Sequence, residues 1–266
     1  MRLATFTLAA TLLFSTIVGP LRSLAGPMED AKSAYDKKDY PTALSLWRPL
    51  AEQGNAEAQR FIGILYENGF AVTRDGRQAV DWFRKAAAQG DAQAEYRLGA
   101  RYVDGWDGLP KDPTQGLILM ERAGEHGYPR SFFVIGSLYR TGLHDGIPKD
   151  AAKAVLWFRK AADLGDELAQ LQLAVNYRYG VGVNKDIDQA ISWYRKAAAQ
   201  DSEPAELSLG SIYEDGEGVE VNLAEALCLY RKAAQSKDRF FRTQAERAIA
   251  HLANAVPAER DQGQCQ

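Results

Sequence analysis

The chain has 266 residues, an ordinary globular mix of 46% hydrophobic and 25% charged residues, and a net charge of −3. A mildly acidic chain has no electrostatic reason to coat a nucleic acid. The length admits one large domain or two small ones.

The first residues do not belong to a globule. Arg2 gives a positive start, Leu3 to Val18 carries no charge, and Gly19-Pro20 breaks the run. Ser23-Leu24-Ala25 then places small residues at the −3 and −1 positions of a cut before Gly26. This three-part layout predicts a secretory signal peptide over 1–25, and hence an exported chain, periplasmic in first reading and extracellular in second. The run is short for a membrane span, so an uncleaved anchor is the weaker reading, and nothing later in the chain predicts a span. Removal of 1–25 takes away Arg2 and Arg22 and no acidic residue, so the mature chain is more acidic still. Cys228 and Cys265 remain as thiols. In an oxidising compartment they can pair; an unpaired Cys228 is the equal alternative.

Residues 28–54 predict a leading helical hairpin. Ala31 and Tyr35 mark its first helix, and Asp39-Tyr40-Pro41 followed by Ala43-Leu44 opens its second. Five repeats of roughly 36 residues follow over about 56–237. Each carries Tyr-x-x-Gly, as Tyr66-Gly69, Tyr102-Gly105, Tyr139-Gly142, Tyr177-Gly180 and Tyr213-Gly216. Upstream stand a small residue and an apolar one four later: Ala58/Ile62, Ala94/Leu98, Ser131/Ile135, Ala169/Leu173 and Ala205/Leu209. Small, apolar and Tyr at i, i+4 and i+8 form one helical face. After the apolar residue comes Gly63, Gly99, Gly136, Ala174 or Gly210. A helical glycine costs about 1 kcal/mol against alanine, so its recurrence predicts a neighbouring helix packed close against it.

The second helix of each repeat is predicted to start at an N-cap: Asp75, Asp112, Asp150, Asp186 or Asn222. An apolar plug stands three residues before each cap, at Val72, Leu109, Ile147, Val183 and Val219. The helix body reads Ala79-x-x-Trp82-Phe83-x-x-Ala86-Ala87, an i, i+3, i+4, i+7, i+8 pattern, with equivalents around Trp157-Phe158 and Trp193-Tyr194. Gly90, Gly127 and Gly165 end it, with Asp201 standing in once. One hairpin cannot bury both apolar faces, so the hairpins are expected to stack into a continuous solenoid. Residues 239–254 predict a capping helix, and 255–266 a disordered tail.

The pattern closely resembles the Sel-one-like repeat family, relatives of tetratricopeptide repeats with a longer loop inside each repeat. The segment Ala51-Glu52-Gln53-Gly54-Asn55-Ala56-Glu57-Ala58-Gln59 is near its consensus, and the likeness covers about 28–252. Departures are Leu119-Met120 for the aromatic pair, and Gly116 and Gly124 where Ala is expected. The resemblance implies an all-α, right-handed superhelix of antiparallel hairpins, a protein–protein adaptor role often found in bacterial envelopes and signalling, no shared catalytic residues and no cofactor.

Within that fold the first helices would line the concave side. Positions opposite their core stripe read Arg60, Tyr96, Phe133, Leu171, Leu207; then Ile64, Ala100, Ser137, Val175, Ser211; then Glu67, Val103, Arg140, Arg178, Glu214. A face that meets only water is polar, and this one is not. The expected partner-binding residues are therefore Tyr96, Val103, Phe133, Leu171, Val175 and Tyr179, edged by Arg140 and Arg178, in the middle repeats. The competing reading is that Tyr96 and Phe133 fill gaps between hairpins. The second helices carry Arg84-Lys85, Arg159-Lys160, Arg195-Lys196 and Arg231-Lys232, read as a solvated face. Two longer loops suggest a further contact ridge at Trp106 and His144.

His126, His144 and His251 have no partner at metal-ligand spacing, so no metal site is expected. No phosphate-cradling glycine motif and no nucleophile–base pair appears, so the chain does not read as an enzyme. The expectation is an adaptor or regulator that binds a protein segment in its groove, such as the outer domain of a membrane sensor or a component of envelope assembly. The alternatives are a saccharide- or peptidoglycan-associated envelope protein, with Trp106, Asp104 and Asp107 as its cluster, or a secreted factor acting on a host cell.

Overall fold

The structure is a computed structural model that describes residues 26–252. The predicted signal peptide over 1–25, the last two residues of the predicted cap, the predicted tail and Cys265 lie outside the described residues. Six hairpins succeed one another: α1 (Pro27–Asp36) and α2 (Tyr40–Glu52), α3 (Ala56–Asn68) and α4 (Gly76–Ala87), α5 (Ala92–Asp104) and α6 (Pro113–Glu125), α7 (Arg130–Thr141) and α8 (Ala151–Asp163), α9 (Glu167–Tyr179) and α10 (Ile187–Ala198), α11 (Glu203–Asp215) and α12 (Leu223–Ala233). A last helix, α13 (Arg239–Leu252), closes the stack. Each helix packs on its predecessor and its successor, so the molecule is an all-α solenoid.

The local rules hold position by position. The side chains of Asp75, Asp112, Asp150, Asp186 and Asn222 accept the backbone N–H three residues on, at 2.9–3.1 Å. Leu109 and Ile147 are buried plugs, and Val72, Val183 and Val219 pack half-buried on the core. Asp201 adopts φ +61°, the left-handed conformation that the other repeats reach with glycine.

The helical glycines set how closely each hairpin closes. A Cβ built on Gly63 would lie 2.6 Å from the Phe83 ring, and one on Gly136 would lie 2.7 Å from the Phe158 ring. Where the aromatic pair gives way to Leu119-Met120, two backbones approach instead: a Cβ on Gly99 would lie 2.7 Å from the Gly116 carbonyl oxygen, and one on Gly116 the same distance from that of Gly99. Gly116 is thus the complement of Gly99. Gly124 likewise makes room for the ring of Phe132, so neither departure from the repeat pattern loosens the middle of the stack.

A second regularity runs through the residue after the small one of each first helix. Gln59 donates its Nε2 to the Ala51 carbonyl at 3.0 Å and accepts from Gln89 at 2.8 Å. Gln170 donates to the Ala162 carbonyl at 3.2 Å and accepts from Gln200 at 2.9 Å. At the same position Glu95, fully buried, meets Arg122 at 2.6 Å and His126 at 2.8 Å. Phe132 fills it with a ring over Gly124. Glu206, 5% exposed, has no hydrogen-bond or ion-pair partner among the described residues. Burial pushes its carboxyl up to about 7; Lys232 pulls the other way, and Glu203 and Asp201 add to the rise.

Two outcomes follow. Gly99→Leu forces α5 from α6 and costs about 2–3 kcal/mol, a melting temperature lower by roughly 4–12 °C in a thermal scan. Because the folded Glu206 binds its proton more tightly than the unfolded chain does, the native state holds more protons between pH 4.5 and about 7. Stability therefore falls as pH rises through that window. Glu206→Gln removes this fall and gains about 1–3 kcal/mol at pH 8, read by urea unfolding at several pH values.

Candidate functional site

Three successive first helices and two of the following loops enclose a hollow of about 570 Å³. Tyr35 of α1, Ile64, Glu67 and Asn68 of α3, Phe70 and Arg74 of its loop, Arg97 and Arg101 of α5, and Trp106 line it. Trp106 is placed by its own loop. Its backbone N–H donates to the Leu109 carbonyl at 3.0 Å and its carbonyl accepts from the Leu109 N–H at 2.6 Å. Gly108 makes this tight turn possible at φ +77°. The Arg101 guanidinium lies 4.5 Å from the Trp106 ring centroid and that of Arg74 lies 6.0 Å away, so two cations stand against the indole.

Glu67 is the hollow's counter-charge. Its side chain is 7% exposed and meets Arg97 at 2.9 Å and both Nε and Nη2 of Arg101. Arg74 donates only to the Glu67 backbone carbonyl, at 3.3 Å. Three guanidinium groups thus face one carboxylate, and the two that Glu67 holds are about a third exposed. In a sheltered concavity such an excess attracts anions.

The residues expected to bind a partner are mostly spent on packing. Val103 is 2% exposed; it fills the space left by Gly116, where an added Cβ would lie 2.6 Å from its Cγ2. It is a core residue, not part of a groove. Arg178 is also withdrawn: its side chain, 11% exposed, donates to Glu217 at 2.8 Å and to Ser211 at 3.2 Å, tying α9 to the next hairpin. Tyr96 leans on Tyr128 with ring centroids 5.2 Å apart, and Phe133 leans on Phe158 of its own hairpin at 5.6 Å. Leu171 and Val175 pack half-buried on the main core. Arg140 and Tyr179 are exposed. The reason is geometric. A first helix touches its own hairpin and both neighbouring repeats, so positions opposite one contact meet another. Arg60 and Ile64, placed on the same outer face, are buried too, and Arg60 bridges to Asp91 and Gln93 of the next repeat.

The two long loops are tied to each other, Lys111 of one meeting Asp145 of the other at 3.0 Å. Trp106 turns into the hollow, while His144 Nδ1 lies 3.3 Å from Asp104. The basic series on the second helices is exposed but engaged. Lys85, Lys160 and Lys196 lie 3.7–4.1 Å over Trp82, Trp157 and Trp193, and Arg159 and Arg195 donate to the hydroxyls of Tyr177 and Tyr213. Cys228 is not a free thiol. Among the described residues no group of three His, Cys, Asp or Glu is placed to hold a metal, and no helix is long and apolar enough to cross a membrane.

Glu67→Ala leaves two guanidinium groups without their carboxylate. Because both reach solvent, the loss is moderate, about 1–3 kcal/mol in urea unfolding, and the hollow gains positive charge.

Comparison with known proteins matches the Sel1 repeat at residues 33–55, 56–91, 92–128, 133–166, 168–202 and 204–238, the first of these on the leading hairpin. Among curated proteins the chain is 37% identical over 147 residues to the DAP3-binding cell death enhancer 1 of Rattus norvegicus, covering 54% of this chain and 28% of that one. It is 27% identical over 130 residues to the chitin synthase regulatory factor 3 of Schizosaccharomyces pombe, covering 48% and 14%. The chain thus spans less than a third of the length of either relative. Among solved structures, a protective antigen of uropathogenic Escherichia coli with an SLR fold superposes with TM-score 0.71 at 30% identity, over 88% of this chain and 51% of that one. A Sel1 repeat protein from Oxalobacter formigenes superposes with TM-score 0.70 at 28% identity, over 88% and 96%. Repeat pattern, family match and superposition agree: this chain belongs to the Sel1 repeat family.

Proposed function

We propose that this chain is an exported interaction adaptor or regulator that holds an acidic segment of another protein against the hollow of α1, α3 and α5. Sel1 repeats are protein-interaction modules, and one relative is named for binding another protein and a second for regulating an enzyme. Export, with the periplasm as destination, rests on the Arg2, Leu3–Val18 and Ser23-Leu24-Ala25 pattern. The observation that carries the binding reading is the charge count in the hollow, three guanidinium groups around a tryptophan against one carboxylate. Arginine and tryptophan in a recessed surface are the usual anchors of a protein interface. No pair of groups in the hollow is arranged as nucleophile and base, so the reading is one of binding and not of catalysis.

The test is capture of native partners from an envelope extract. Arg74→Glu combined with Trp106→Ala is expected to reduce capture at least about tenfold. Helicity should be unchanged, since Arg74 makes one long bond to a backbone carbonyl. Arg140→Glu, outside the hollow, is expected to leave capture intact. Capture by the native chain should also weaken as salt rises from about 0.05 to 0.5 M. Equal capture by the native chain and the double variant would overturn the assignment.

A further inference from the structure

Where the residue after the small one of a repeat's first helix is polar, at Gln59, Glu95, Gln170 and Glu206, it is satisfied internally in all but the last. In α3 and α9 a glutamine amide donates to the carbonyl eight residues back, at Ala51 and Ala162. The corresponding carbonyl for Glu206 is that of Ala198, which accepts the Asp201 N–H at 3.1 Å and no side chain. A carboxylate has no proton to give it. Gln89 and Gln200, which close the same site in their repeats, are replaced at that register by Ser236, whose Oγ donates to Glu203 and not to Glu206.

The result is a cavity of about 840 Å³ between the ends of α10 and α12, with Ala198, Ala199, Asp201, Glu203, Glu206 and Lys232 among its walls. The Glu206 carboxylate, which has no donor, and the Ala198 carbonyl, which takes only the Asp201 N–H, share one opening with no side-chain donor to either. Of the neighbouring charges, Glu203 accepts from Ser236 Oγ at 2.8 Å, while Lys232 and Lys237 are exposed and form no ion pair with Glu206. Three carboxylates therefore face two ammonium groups at the rim. Buried acceptors without donors are costly, and a bound cationic donor removes the cost.

We propose that this cavity is a binding site for a primary ammonium group, seated between Glu206 and the Ala198 carbonyl with Asp201 beside it. An ammonium supplies three donors to three acceptors, and its alkyl stem runs along the methyl groups of Ala198 and Ala199. A metal is the poorer occupant, because the described carboxylates here do not converge as a ligand set. The group can come from a lysine side chain of a partner or from a free alkylamine. The site is separate from the arginine-lined hollow and does not depend on it. Ionised Glu206 is the binding form, and with its carboxyl pushed up to about 7 the affinity rises about tenfold from pH 6 to pH 8. Asp201, Glu203, Lys232 and Lys237 are the other titratable groups lining the cavity.

The experiment is a chemical-shift titration of the isotope-labelled full chain. The probes are n-butylammonium, an acetylated Ala-Lys-Ala amide, and tetramethylammonium, which is a cation without donors. Saturable shifts at the ends of α10, α11 and α12 are expected with the first two probes, about tenfold tighter at pH 8 than at pH 6, and not with the third. Tighter binding of the peptide points to a partner's lysine, and tighter binding of butylammonium to a free amine; either supports the site. Glu206→Gln, which places in α11 the residue that α3 and α9 already use, keeps the fold and abolishes the shifts. Lys232→Met removes the nearest competing ammonium and leaves binding as tight or tighter. The absence of saturable shifts, equal shifts with tetramethylammonium, undiminished binding by Glu206→Gln or loss of binding in Lys232→Met would each overturn the proposal.

Discussion

Everything else in the molecule depends on how closely the two helices of each hairpin approach. A glycine in the first helix meets an aromatic ring of the second, as Gly63 meets Phe83 and Gly136 meets Phe158. In the second full repeat the ring is missing and Gly99 meets Gly116 backbone to backbone. Each contact is too close for a Cβ, so each fixes the hairpin spacing within a few tenths of an ångström. Stacking of equal hairpins then brings α1, α3 and α5 side by side at a constant offset. That offset places Glu67 between two arginines from the following repeat and turns the Trp106 loop over the opening. The hollow is a product of repetition, assembled from residues of three successive hairpins.

Repetition also explains why the polar outer positions carry so many cross-repeat bonds. Arg60 reaches Asp91, Arg97 and Arg101 reach back to Glu67, and Arg178 reaches Glu217. Each bridges neighbouring repeats, so these charges order the stack while they shape its surface. The hydroxyls of Tyr177 and Tyr213 do the same on the other side through Arg159 and Arg195. A solenoid has no single core to hold distant parts together, and nearest-neighbour ties of this kind carry its cooperativity.

Much of the fold was legible in the sequence because its determinants are local. Caps, plugs, left-handed glycines and the small-apolar-Tyr stripe all act within one hairpin, and each was found where its pattern placed it. The surface was harder to read. Helical periodicity treats a helix as having a core side and an opposite side, but a first helix here has three packed neighbours. Val103 and Arg178 were assigned to the groove for that reason and belong to packing. The hollow itself left one usable signal, the pairing of Glu67 with arginines at 97 and 101, close to one repeat length away. Loop length marks out Trp106, but its direction depends on the turn through Gly108.

The central claim is that an acidic protein segment occupies the hollow of α1, α3 and α5. The most direct measurement places a photo-crosslinking residue at Phe70, on the hollow's wall, and a second at Arg140, outside it, followed by mass-spectrometric mapping of the attached peptides. The account predicts that the Phe70 position attaches a partner peptide rich in Asp and Glu, in higher yield than the Arg140 position. Attachment of basic or neutral peptides at Phe70, or equal yields from both positions, would contradict it.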